Sequence, residues 1–108
     1  MNLFIIQTFA NTGRAKIKLN RINEQDSLQA KLTYFTDSKE KSRNGASDAI
    51  SQADAVIVFN HESCMTSDNT KWVIEVAEQM SKEIIELNDH KENAAASLKL
   101  QALKILSK

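Results

Sequence analysis

Four short apolar runs set the rhythm of the chain: NLFIIQTF at residues 2–9, LQAKLTYFT at 28–36, DAVIVFN at 54–60 and KEIIEL at 82–87. Each has the length of a strand rather than a helix. The third is apolar on both faces, as a strand covered on both sides requires. Between the third and fourth runs the spacing changes. Trp72, Val73, Val76, Ala77 and Met80 fall on one side of a helix predicted over 69–81. Residues 14–25 are less clear. Ile17, Leu19 and Ile22 give an imperfect helical stripe, while KIKLNRI also alternates like a strand. The strand–helix order downstream favours a helix there. The Asn44-Gly45 turn precedes a short helix predicted at Ala46 to Gln52. Asp37 with Glu40, and Asp89 with Glu92, have capping-box spacing. The second box opens a last helix carrying Leu98, Leu100, Leu103, Ile105 and Leu106. Residues 61–68 read as a polar loop whose end, Ser67, Asp68 or Asn69, caps the next helix. Gly13 suits a left-handed turn position.

Four strands alternating with four helices imply right-handed parallel crossovers. The expected fold is α/β: a small three-layer sandwich around a four-stranded parallel sheet of order 2-1-3-4. It resembles the flavodoxin-like class. The length, 108 residues, fits one domain spanning 1–108.

Composition narrows the function classes. Fourteen basic residues balance fourteen acidic ones, so nothing global draws the chain to nucleic acid or to an anionic membrane. The basic run Arg14, Lys16, Lys18, Arg21 reads as a solvated helix face, because no aromatic residue is interleaved with it to stack bases. One cysteine cannot build a disulfide framework, which suits a reducing, cytoplasmic setting. MNLFIIQ reads as a strand rather than a signal peptide, and no apolar run reaches membrane-spanning length. The chain has no proline, so turns and helix ends fall to Asn, Asp, Ser and two glycines.

Ligands in parallel α/β sheets sit beyond the carboxyl ends of the strands. That directs attention to His61, Cys64, Asp68 and Glu75. Glu75, read as near the start of its helix, has the chemistry to attack or stabilise an oxocarbenium-like centre during cleavage of an N-glycosidic bond. Its plainer reading is a solvent-exposed helix glutamate near Lys71 and Glu78. His61, Glu62 and Cys64 suggest a His–Cys nucleophilic pair, against a loop histidine and a structural cysteine. The turn Thr8 to Gly13, with Phe9 and Asn11 as candidate ligand contacts, offers backbone amides for a phosphate. The segment is sparse in hydroxyls and glycine, and an ordinary strand–helix turn is its plainer reading. Trp72 is either core filler or a stacking wall for a flat base or nicotinamide. One Cys and two distant His give no zinc pattern, and neither a dinucleotide fingerprint nor a P-loop occurs, so no metal and no cofactor is implied. Asp26, Asp37 and Asp48 read as caps and turns.

Ile50-x-x-Ala53-Asp54-x-x-Ile57-x-Phe59, a polar loop with Ser67, then Trp72-Val73-x-Glu75-x-Ala77 and Lys82-x-Ile84-Ile85 together resemble the second half of TIR-like domains. They are also similar to the nucleoside 2-deoxyribosyltransferases. The resemblance covers roughly residues 49–87. It implies a helix glutamate that cleaves the glycosidic bond of NAD or a nucleoside, and that role falls on Glu75. His61, Ser67, Asp68 and Trp72 would then shape the pocket. An alignment anchored on Ala77 and Lys82 instead puts Val73 at the catalytic position.

Two functions compete at this level. One is a non-catalytic TIR-like module working by self-association or by binding a protein partner, in signalling or phage defence. The other is an enzyme acting on NAD or a nucleoside through Glu75. A flavin-binding electron carrier is a third possibility. The enzyme requires Glu75 to point into a concave pocket; the module permits it on the outer face of the helix. A four-stranded sheet also has two edges to cover, which suits an oligomer.

Overall fold

The computed structural model describes residues 1–35, 45–89 and 93–106. Its centre is a four-stranded parallel sheet: β1 (Asn2–Ile6), β2 (Lys31–Tyr34), β3 (Ala55–Phe59) and β4 (Ile84–Leu87), in the order β2-β1-β3-β4. This is the α/β architecture and strand order expected from the pattern. The helices are α1 (Thr12–Gln25), α2 (Ala46–Gln52), α3 (His61–Cys64), α4 (Asp68–Gln79) and α5 (Ala94–Leu106).

β3 is buried along its whole length, and β1 everywhere except Asn2. Both are therefore covered above and below, and their continuous Val, Ile and Phe runs follow from that. Side chains alternate between two cores. Leu3, Ile5, Ile57 and Phe59 pack under α1 and α5, against Ala15, Leu19 and Leu100. Phe4, Ile6, Val56 and Val58 pack under α2, α3 and α4, against Ile50, Cys64, Val73 and Ala77. Small residues at Ala15 and Ala77, both fully buried, let helix backbones approach the sheet closely.

The ambiguous segment 14–25 is helical. Ala15, Leu19 and Ile22 recur at helical spacing and are buried, while Ile17, which the imperfect stripe included, is exposed and Ala15 takes its place. Residues 61–68 are not one loop. His61–Cys64 form the short α3, because the apolar Cys64 is drawn under the sheet while the polar residues around it stay outside. Phe9 leaves the first strand and enters a 3-10 turn, Phe9–Asn11. Lys82 and Glu83 precede β4 rather than joining it. The Asp37/Glu40 box, Asn44 and Glu92 lie outside the described residues.

Gly13 does not take a left-handed conformation: it sits in the first turn of α1, and no described glycine has a positive φ. That conformation falls instead to Ser27, Gln29, Asn60 and Ser81. Two of these end helices in the same way. At α1, Ser27 N–H donates to Glu24 O at 3.2 Å and Leu28 N–H to Asn23 O at 3.0 Å. At α4, Ser81 N–H donates to Glu78 O at 3.0 Å and Lys82 N–H to Ala77 O at 3.1 Å. Both are Schellman motifs with serine where glycine is usual. An L-residue there costs about 1–2 kcal/mol, of which glycine's extra unfolded-state entropy returns part. Ser27→Gly and Ser81→Gly are therefore expected to stabilise the fold by about 0.5–1 kcal/mol each and additively. Urea unfolding midpoints check this.

Candidate functional site

The order β2-β1-β3-β4 places the topological switch point between β1 and β3, where helices leave to opposite faces of the sheet. The segments meeting there are Gln7–Asn11 after β1, Asn60–Glu62 after β3 and Asn88–Asp89 after β4.

Their polar groups are tied largely to one another. Arg14, in the first turn of α1, donates from Nη2 to Asn11 Oδ1 at 3.0 Å and from Nη1 to Asp89 Oδ2 at 3.1 Å. Asp89 N–H donates to Asn60 Oδ1 at 2.9 Å, and Asn60 N–H to Leu87 O at 2.8 Å. Asn60 adopts φ 53° and ψ 70°, a left-handed turn that starts α3 and aims its amide at Asp89. One guanidinium thus joins the end of β1 to the end of β4, through an asparagine that is itself buried. Asn93 closes the next connection: its Oδ1 accepts from Asn88 N–H and its Nδ2 donates to Asn88 O, each at 2.9 Å. At the other side, the Gln7 amide donates to Phe35 O and links the ends of β1 and β2. His61 Nδ1 lies 3.9 Å from Glu86 Oε1, both partly exposed, so that pair is weak and open to solvent.

Two buried polar atoms near these strand ends have no hydrogen-bond partner: Gln7 Oε1 and the Tyr34 hydroxyl. Tyr34 packs on the α1 side of the sheet, with the Lys16 ammonium 5.7 Å from its ring centroid. Burial pushes its phenol above the ordinary value of 10.0.

The expected site residues are not gathered into one place. Phe9 is 68 % exposed on its turn, beside the buried Asn11. His61 opens α3, Ser67 is the N-cap residue of α4, and Asp68 lies in that helix's first turn, where a carboxylate suits the positive end of the dipole. Trp72 is half-buried against the α2–α4 core. Glu75 is the eighth residue of α4, about two turns below the strand ends. It is exposed, on the side opposite the buried Thr70, Val73, Ile74 and Ala77. Val73, the alternative at that position, is fully buried. Cys64 is buried, with its thiol 3.3 Å from Phe59 O and 3.7 Å from Ile6 O. That leaves it facing carbonyl acceptors inside the core rather than the rim where His61 lies. Among the described residues no group of three or more His, Cys, Asp or Glu is arranged to hold a metal ion.

The other motif residues act at the opposite, amino end of the sheet. Asp54 Oδ2 accepts from Asn2 N–H at 2.6 Å and fixes the start of β1. Lys82 Nζ donates to Ser51 O at 3.0 Å and Ala53 O at 2.9 Å, capping the carboxyl end of α2. The Ala-Asp and Lys-x-Ile-Ile signals therefore have structural causes in this chain. Gln7, Asn60 and the Arg14–Asp89 bridge tie strand ends together without having stood out in the sequence pattern. A polar amide closing an apolar strand was the available signal for Gln7; a bridge between residues 75 apart has no local signal.

Compared with protein-family models, with curated proteins and with solved structures, the chain matches none of them. No helix among the described residues is long and apolar enough to cross a membrane.

Tyr34 is the chain's single tyrosine, so its titration can be followed alone. The midpoint of the tyrosinate absorbance rise should lie above pH 10 in the folded protein. Because the folded value is raised, this group's contribution to stability is complete below pH 10 and is lost as pH rises through the folded value. Tyr34→Phe should remove that part of the alkaline loss.

Proposed function

We propose that the chain is a small α/β interaction module, acting by self-association or by binding a protein partner, of the TIR-like kind that its 49–87 segment resembles. A signalling or phage-defence system is the setting that resemblance suggests. The observation that carries this reading is the position of Glu75: solvent-exposed on the outer side of α4, away from the strand ends. A carboxylate that shields an oxocarbenium-like centre works beside a bound sugar in a water-poor cleft. The strand ends add support. Arg14, Asn11, Asn60 and Asp89 spend polar groups on holding three connections together, which leaves fewer of them for a substrate.

The rival reading is cleavage or transfer at the N-glycosidic bond of NAD or a nucleoside, with Glu75 as the carboxylate. Phe9 and His61, both accessible near the switch point, are its best support as ligand contacts.

Incubating concentrated protein with NAD and a panel of nucleosides separates the two. The module reading predicts no nicotinamide or free-base release above the Glu75→Gln control. Release by the unmodified chain that disappears in Glu75→Gln would overturn it.

A further inference from the structure

The zero net charge hides a division between the two helical layers. Among the described residues, α1 and α5 carry six cations, Arg14, Lys16, Lys18, Arg21, Lys99 and Lys104, against the single carboxylate Glu24. On the opposite side of the sheet, α2, α3 and α4 carry five carboxylates, Asp48, Glu62, Asp68, Glu75 and Glu78, against Lys71 and His61. Asp89, paired with Arg14, and Lys82, on the carboxyl end of α2, each offset one charge of their side, and an excess of opposite sign remains on each face.

Both layers also expose large apolar side chains. On α5, Leu98 is 67 % and Ile105 73 % exposed. With Ala95 and Ala102 they follow the 3-4-3 spacing of a helix seam, on a different side from the buried Ala96 and Leu100. On α1, Ile17 is exposed among Arg14, Lys18 and Arg21, where these four and Asp89 line an open depression of about 260 Å³. The acidic layer has Met65 after α3 and Met80 at the end of α4, both exposed. Methionine adapts to the shape of an apolar partner.

We infer that the partner of the basic layer is a second copy of this chain, presenting its acidic α3–α4 face, so that copies stack head to tail. This rests on the interaction-module reading and names its surfaces. Like layers pair less well, since basic on basic sets the cations of α1 and α5 against their own copies, with Glu24 the single carboxylate on those two helices to offset them. A contact between two different faces does not close on itself by a two-fold axis, so it extends beyond a dimer, to a ring or an open chain of copies. Exposed charges at its rim make it salt-dependent.

The test uses the full chain and two charge-reversed variants. One, Lys18→Glu with Arg21→Glu, spoils the basic face and keeps the acidic one. The other, Glu75→Lys with Glu78→Lys, does the reverse. Circular dichroism establishes that both fold. Sedimentation velocity of the unmodified chain should show association that grows with concentration beyond a dimer and weakens on raising salt. Each variant alone should associate roughly tenfold more weakly or not at all. Mixed one to one, they should recover a complex through their two intact faces, which a merely structural defect would not allow. A monomer at all concentrations, or a closed dimer indifferent to both reversals, would overturn the head-to-tail contact. The closed dimer would leave the module reading standing, whereas glycosidic-bond release dependent on Glu75 would remove that reading itself.

Discussion

The parallel pairing of β1 with β3 dictates where every other element must lie. Leu3 to Ile6 lie in register with Ala55 to Val58, and all eight residues are buried. Two adjacent strands apolar on both sides cannot be stable with one face open, so helices must cover both. The edge strands then follow as the less buried pair: β2 alternates between exposed and half-buried residues, and β4 keeps one exposed position, Glu86. The same pairing creates the switch point at the carboxyl ends and the shared anchor at the amino ends, where Asp54 holds Asn2.

The architecture was legible because β3 announces itself. Five apolar residues bounded by Asp54 and Asn60 admit few structures, and the helical spacing of Val73, Val76 and Ala77 supplies the crossover to β4. What was not legible was local competition. KIKLNRI alternates like a strand, yet the burial of Ala15, Leu19 and Ile22 against the sheet decides for a helix. α3 is too short for any periodicity to show; the pull of Cys64 into the core makes it. Gly13 was free to turn left-handed, but Asn60, Ser27 and Ser81 carry that conformation because helix ends and strand ends, not residue preference, dictate where it is needed.

The candidate site was legible only in part, for a similar reason. His61, Asp68 and Asn11 do lie close in sequence to the carboxyl ends of β1 and β3, since topology alone places them there. Glu75 does not, because α4 starts at Asp68 and carries it about two turns down the helix. The Arg14–Asp89 bridge joins residues that no pattern in the chain connects. The role of the basic run also changes once the fold is known. As a sequence it is one solvated helix face; as part of a layer with α5, opposite an acidic layer, it becomes half of a complementary pair of surfaces. Net charge conveys nothing of this, because it sums over both layers and the rest of the chain.

On the proposed reading this chain works through its outer helical faces rather than through the crevice at its strand ends. The most direct measurement is a pair of amide nuclear magnetic resonance titrations, one raising protein concentration and one adding NAD or a nucleoside at fixed concentration. The proposed reading predicts concentration-dependent shifts on the exposed residues of α1, α3, α4 and α5, with Gln7–Asn11 and Asn60–Glu62 unmoved on adding the nucleotide or nucleoside. Saturable shifts at those strand-end segments on adding the nucleotide or nucleoside, with the helical faces silent, would contradict it.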